Sequence, residues 1–284
     1  MSGGVRGASA GSIESLSRHA RPFAGLIGLT AAWQLAISVS DQSLLPGPAA
    51  ALAAIVEMTS DGDLVRHTIA SLFRVAWGYI GAAILAIPLG LVLGWYSKAE
   101  RAAGPILQIL RPISPLAWIP IAILWVGVGD LSAIFIIFLS VLWPLTTSAV
   151  EAAQSIPLKF VRAGRNFGLS RRALLFTVIY PAALPQLVLG LRLSLGIAWL
   201  VVVAAEMIAV GSGLGFFIID ARNAGNRYDQ VVAGMLLIGL IGVVLDAAMR
   251  RLERSRALAW SYNRLSEVPK KAAAAANGRR GEAP

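Results

Sequence analysis

The sequence has no cysteine in 284 residues, which removes disulfides, thiolate-held metals and cysteine nucleophiles from consideration. Histidine is scarce, with His19 and His67 alone, and no His-Glu-x-x-His pair occurs. Charge is scarce as well. Asp, Glu, Lys and Arg make up 14% of the chain, against about 25% in ordinary soluble domains. Acidic residues are the shorter set, 15 against 25 Lys and Arg, for a formal net charge of +10. In their place stand hydrophobic residues, 57% of the total, and the mean hydropathy is +0.70. A disordered chain is excluded, because its signature is low hydrophobicity, and a water-soluble enzyme is a poor fit. The basic excess suits nucleic acid or a membrane, and the hydropathy favours the membrane.

A bilayer core of about 30 Å needs about 20 mostly apolar residues per helix. Six stretches approach that length: Phe23–Val39, Val75–Tyr96, Pro105–Val126, Leu131–Val150, Leu187–Val210 and Val231–Met249. Arg111, Pro112, Pro115 and Pro120 interrupt the third, which reads as kinked and buried in the bundle. The first run continues through Trp33 and Gln34 without a small-residue cleavage site, so it reads as an uncleaved span.

The expected organisation is a cytoplasmic tail over 1–21, a first span and outer loop over 22–64, a transmembrane domain over 65–252 and a cytoplasmic tail over 253–284. With the N-terminus inside, Arg66, Arg74, Arg222 and Arg227 are the basic residues left outside. The rest lie in cytoplasmic loops, at cytoplasmic span ends or in the tails, so the positive-inside rule places both termini in the cytoplasm. Most of the charge is thereby accounted for as an orientation signal, and no nucleic-acid partner is expected. The Ala-rich, basic tail over 270–284 reads as a solvated end loosely held to anionic lipid.

Residues 151–186 are long for a loop between two spans. Pro157 suits a first helical turn, and a helix runs on through Lys159-Phe160-Val161-Arg162-Ala163-Gly164-Arg165-Asn166-Phe167. Gly168 can end it in a left-handed conformation. Ser170 is placed to cap a second helix, Arg171–Ile179, limited by Pro181 and Pro185. Small residues with flanking basic groups suit the docking of a partner. A helix lying on lipid, with its arginines on phosphates, fits the same pattern.

These residues resemble the cytoplasmic signature of ABC importer permeases, E-A-A-x3-G-x9-I-x-L-P. Here it stands as Arg162-Ala163-Gly164, then Gly168, then Val178-Ile179-Tyr180-Pro181, with both spacings kept. Arg162 replaces Glu, Gly164 replaces the second Ala, and Tyr180 replaces Leu. Glu151-Ala152-Ala153 matches the letters but not the spacing, since Pro157 stands where the glycine belongs. Residues 163–172, 181–185, 190–200, 205–207 and 211–218 resemble the nitrate, taurine and aliphatic sulfonate subfamily.

That resemblance implies an all-α integral membrane fold with six transmembrane helices, of the type I ABC importer permease kind. Two copies, most simply a homodimer, would enclose a path. An ABC ATPase subunit would bind ATP and magnesium, while this chain holds no cofactor or metal and has no catalytic residue. A periplasmic binding protein would deliver a small oxyanion: nitrate, taurine or another alkanesulfonate, or bicarbonate. The implied location is the bacterial inner membrane. Arg162, Ala163, Gly164, Arg165, Phe167, Gly168 and Ser170 would form the ATPase-coupling helix, and Val178, Pro181 and Pro185 the end of the coupling loop.

Glu206, near the outer end of the fifth span, either lines the path or gate, or is a snorkelling or helix-pairing carboxylate. Arg192 lies 14 residues earlier, about 21 Å along a helix, too far to be its partner. It either attracts an anion or snorkels to headgroups. Asp246 and Arg250 read as an ordinary i, i+4 pair. Gly211-Ser-Gly-Leu-Gly resembles a phosphate loop but lacks the following Gly-Lys-Ser/Thr, and reads as an outer turn facing the binding protein. Two rivals remain at this point. A secondary transporter would show inverted repeats, and a membrane enzyme would show clustered ionisable groups on facing helices. Neither pattern is evident.

Overall fold

A computed structural model of the chain describes residues 25, 27–39 and 46–253. The expected N-terminal tail, the start of the first span and the C-terminal tail from residue 254 lie outside the described residues. Those residues are helical with short connections, and they group into two compact units.

One unit comprises the chain up to Val65 together with Ile218–Leu236. It contains α1 (Ile27–Val39) and α2 (Pro48–Ser60), which starts with proline in its first turn, where the missing N–H costs nothing. The described part of the first expected span is therefore a 13-residue helix, too short to cross a bilayer on its own. The second helix, α2, lies in what reads from sequence as a loop. Arg227, in the turn before the last helix, bonds Asp229 at 3.0 Å and Glu57 of α2 at 2.8 Å. Those bonds, to Asp229 first and Glu57 second, raise the pKa of Arg227 above its ordinary value.

The other unit runs from Arg66 to Phe217 and from Leu237 onward. Its frame is α3 (Asp63–Trp95), α6 (Asp130–Gln154) and α9 (Tyr180–Ala209). These helices approach closely because the facing positions are small. Gly78, Ala82, Ala86 and Gly90 recur every fourth residue on α3, and all are buried. A Cβ on Gly78 would lie 2.7 Å from Ile137. One on Gly94 would lie 2.6 Å from the Val150 carbonyl, and one on Gly190 of α9 2.8 Å from Ser148. Helices in lipid gain little from burying apolar surface against one another, so close van der Waals contact of this kind holds them together. The last helix, α11 (Tyr228–Glu253), begins in the first unit and ends in this one.

Among the described residues, four helices are long and apolar enough to cross a membrane: α3, α6, the continuous stretch Arg171–Ala209, and α11. They coincide with the second, fourth, fifth and sixth expected spans. The third differs. Instead of one kinked span over Pro105–Val126, α4 (Ser97–Leu110) and the stretch Pro115–Val126, which ends in α5 (Ile119–Val126), meet at 86°. Ser114 precedes Pro115 and takes φ −59°, ψ 128°. Proline disfavours the helical region for the residue before it, and that breaks the helix there.

The segment after α6 also departs from expectation at one place. α7 (Leu158–Asn166) and α8 (Arg171–Leu174) form as the spacing predicts. Pro181 and Pro185, however, do not end the second helix. A π turn over Leu175–Ile179, with the Tyr180 N–H bonded to the Leu175 carbonyl, carries α8 straight into α9. The wider turn absorbs the step that proline would otherwise block, and Pro185 stays inside the helix.

Candidate functional site

Two polar constellations stand at opposite ends of the α3–α6–α9 frame. At one end is α7. Its N–H of Gly168 bonds the Arg165 carbonyl at 2.9 Å, and that of Leu169 bonds the Gly164 carbonyl at 3.1 Å. This paired 5→2 and 6→1 pattern closes a helix through a left-handed residue, and Gly168 has φ +77°. The Ser170 hydroxyl then accepts the Ala173 N–H at 3.2 Å, capping α8. Gly164 is buried, and a Cβ there would meet Leu174 at 2.5 Å and Val178 at 3.4 Å. The departure from the signature's second alanine thus has a packing cause.

The opposite face of α7 is bare. Arg162, Ala163, Arg165 and Gly168 are exposed, and Phe167 is 86% exposed. Beneath it, Val161 joins a buried cluster with Leu91 of α3, Ala149, Ala152 and Ala153 of α6, and Ile179, Ala183 and Leu187. A force on α7 therefore reaches all three frame helices through apolar contacts. Pro181 and Pro185 lie at the base of α9, next to this cluster.

The other end is built around Arg74, which carries no functional reading from sequence. His67, Ser71 and Arg74 fall on one face of α3 at helical spacing. Arg74 is 1% exposed and Glu206 is fully buried. Arg74 Nη1 donates to Glu206 Oε1 at 2.7 Å and to the Ser212 carbonyl at 2.8 Å. Its Nε and Nη2 reach Asp130 Oδ1 at 2.8 and 2.7 Å, and Nη2 also donates to the Ser212 hydroxyl. Every guanidinium N–H thus has an acceptor. The second oxygen of Glu206 accepts the Ser71 hydroxyl at 2.9 Å and the Gly215 N–H at 3.0 Å.

The turn Gly211–Gly215 closes over this pair. Three consecutive N–H groups at the start of α10 (Leu214–Gly225) meet side-chain acceptors: Gly213 on His67 Nδ1 at 3.0 Å, Leu214 on Ser71 Oγ at 2.9 Å, and Gly215 on Glu206. An anion at a helix N-terminus satisfies otherwise orphaned donors and is favoured by the helix dipole. The glycines are needed because a Cβ on Gly213, which has φ +103°, would enter the Glu206 carboxylate. One on Gly215 would enter the Val203 carbonyl. Gly213–Gly215 therefore turn inward, while Gly211 is exposed. Among the described residues, no buried side-chain nitrogen or oxygen lacks a partner.

Glu206 and Arg192, each a separate candidate for path or gate in the sequence reading, stand apart, as their spacing predicts. Glu206 is enclosed by protein on every side. Arg192 donates to Asp246 at 2.7 Å and to Glu253 at 3.2 Å, both on α11, and so is neither bare nor reaching alone for headgroups. Arg250 bonds Asp246 at 2.8 Å, the expected i, i+4 pair. Arg192, Trp199, Gly196, Gly242, Leu245 and Asp246 line a cleft of about 350 Å³. Arg74 was discoverable in principle: it opens an apolar run on the side poor in basic residues, and Glu206 calls for a counterion.

Residues 86–257 match the family described as binding-protein-dependent transport system inner membrane component. The chain is 37% identical over 227 residues to a putative ABC transporter permease of Methanocaldococcus jannaschii, across 78% of this chain and 85% of the relative. It is 35% identical over 242 residues to the nitrate import permease NrtB of Synechocystis, across 82% and 87% of the two chains. It is 34% identical over 234 residues to the taurine transport permease TauC of Escherichia coli, across 80% and 84%. Its fold is that of a chain in the inward-facing methionine ABC transporter MetNI, with TM-score 0.62 at 21% identity over 69% of this chain and 97% of that one. A bacterial alginate ABC transporter gives TM-score 0.57 at 15% identity over 82% and 89%. Neither a secondary transporter nor a membrane enzyme accounts for these matches. With its multi-pass helical frame, the chain belongs to the binding-protein-dependent transport system inner membrane component family.

Proposed function

We propose that the chain is the membrane-spanning subunit of an ATP-driven importer for a small oxyanion, and that α7 is where the ATPase subunit docks. The observation that carries this is the form of α7. Arg162, Arg165 and Phe167 are exposed on a helix stopped by a left-handed glycine, while Val161 and Gly164 seat it on the frame. An exposed, rigidly seated helix with an aromatic tip suits insertion into a groove of a partner. Hydrolysis belongs to that partner, which binds ATP and magnesium; this chain supplies no catalytic residue. The basic residues on the α7 side favour a cytoplasmic position for that end and for both termini, in a multi-pass inner-membrane protein.

The substrate class rests on the relatives. Nitrate import, taurine transport and bicarbonate transport permeases all align over about four-fifths of the chain, and each of those names denotes a small oxyanion or zwitterion. A periplasmic binding protein delivers the solute, and a second copy of the permease completes the path. Ser170, Val178, Pro181 and Pro185 position α7 against the frame, and the Arg192 pairs tie α9 to α11.

Phe167→Ala tests the docking. Because Phe167 is 86% exposed, the permease should keep its thermal unfolding midpoint while recovery of the ATPase subunit in a pull-down falls about ten-fold, a loss of the size expected for an aromatic anchor. Full recovery of the ATPase with the variant would remove α7 as the docking site.

A further inference from the structure

The buried cluster at the end of the frame opposite α7 has no role in docking the ATPase, yet one member comes from each element that α7 can move. Arg74 belongs to α3, Asp130 to the start of α6, and Glu206 to α9. Ser212 and Gly215 bring in the turn that follows. Between the two ends, α3 and α6 touch through Gly78, Gly90 and Gly94, contacts that carry no polar fixing point, while one hydrogen bond, from the Tyr79 hydroxyl to the Leu191 carbonyl at 2.9 Å, ties α3 to α9. A displacement applied at α7 could dissipate as sliding of α6 on α3. The cluster prevents that at the far end by pinning all three helices and the turn to one guanidinium.

We propose that the Arg74–Glu206 pair is a permanent positioning clamp that makes the far ends of α3, α6 and α9 and the 211–215 turn one body, so that movement at α7 arrives there undiminished. The inference rests on the transport reading above. Its alternative is a latch that opens in each cycle, and the geometry disfavours it. Opening would strand a fully buried carboxylate and a nearly buried guanidinium, each now satisfied at every donor or acceptor, and a separated buried pair is costly. Glu206 also holds the Gly215 N–H, and Ser71 holds that of Leu214. The turn therefore follows the pair wherever it goes. The carboxylate of Asp130, with 59% of its side chain exposed, and the partly exposed Ser212 are where the clamp meets its surroundings.

The test uses the permease assembled with its ATPase subunit and binding protein in proteoliposomes. Uptake of labelled nitrate, taurine and bicarbonate and hydrolysis of ATP are both measured per folded complex. Glu206→Gln should leave hydrolysis within about two-fold of wild type while uptake falls about ten-fold, so that solute moved per ATP drops. Ser71→Ala, which keeps the ion pair but removes the acceptor of the Leu214 N–H and one hydrogen bond to Glu206, should lower that ratio about two- to three-fold. It also decides the matter if Glu206→Gln does not assemble. Amide exchange at Gly213, Leu214 and Gly215 in the wild type should be the same without nucleotide and with ATP trapped.

A merely structural role would lower uptake and hydrolysis together and leave their ratio fixed, which would overturn the proposal. Exchange at those three amides accelerating about ten-fold in the ATP-trapped state would instead establish a latch. If the wild-type complex hydrolysed ATP without moving any solute, the transport reading itself would fall and the clamp with it. A wild type that transports, beside variants with an unchanged ratio, would sink the clamp alone.

Discussion

Replacing Arg74 by Met and Glu206 by Leu, singly and together, measures how strongly the far end of the frame depends on its ion pair. Arg74→Met leaves Glu206, fully buried, with Ser71 and the Gly215 N–H but no cation. Removing one partner of a buried pair costs about 3–5 kcal/mol, and the upper half of that range applies because no water reaches the stranded carboxylate. Glu206→Leu is less severe. Arg74 keeps Asp130 at 2.7 Å and Ser212, and the main loss is an orphaned Gly215 N–H, about 1–3 kcal/mol. In the double variant neither charge is buried, and Asp130, already 59% exposed, returns to water. The double variant should then be more stable than the sum of the singles by about 2–3 kcal/mol, within the range seen for contacting residues. Unfolding in mixed micelles, followed by tryptophan fluorescence across the four proteins, yields the cycle. Additivity within about 0.5 kcal/mol, or an Arg74→Met cost below about 1 kcal/mol, would refute the argument.

Other outcomes follow from local geometry. Gly168→Val should lower the stability of the α7 region by about 1–2 kcal/mol, because φ +77° is left-handed and a β-branched residue resists it. Gly168→Asn should cost distinctly less. Thermal unfolding of the two variants separates strain from crowding, since nothing lies within 4 Å of that position. Gly94→Leu should prevent close approach of α3 to α6, where the obstacle is the Val150 backbone at 2.6 Å, and cost about 3 kcal/mol or the fold itself. Gly104→Leu, with open space around it, is the matched control. Equal yields of folded protein from these last two would contradict the packing described for the frame.

What the sequence made legible was local. Gly168, Ser170 and the basic–small pattern of α7 act within a few residues of themselves, and the structure builds that helix where the spacing predicts. The long apolar runs of α3, α6, α9 and α11 were legible for the same reason, since hydrophobic length is a property of the segment alone. The extent of the break before Pro115 was not, because proline dictates that Ser114 leaves the helical region but not the angle at which the chain resumes. Nor did Pro181 and Pro185 act as stops, since a π turn supplied a backbone register that sequence spacing does not reveal. Pairing across the fold was hidden altogether. Glu206 announced a need for a partner, but Arg74 stands 132 positions away, and nothing periodic links them. Arg192 drew attention through its charge, while its carboxylates on α11 are 54 and 61 positions distant. Gly213 and Gly215 suggested a turn, and only the fold explains them as room for a buried carboxylate.

The central claim, that this permease moves a small oxyanion by coupling to an ATPase through α7, is tested most directly by uptake into proteoliposomes. Permease and ATPase subunit are reconstituted with binding protein and labelled nitrate, taurine or bicarbonate outside, and with or without ATP at the ATPase. Uptake of at least one of these solutes should require ATP and binding protein together, and should be lost with Phe167→Ala in α7. Uptake that proceeds without ATP, or that the α7 variant leaves untouched, would contradict it.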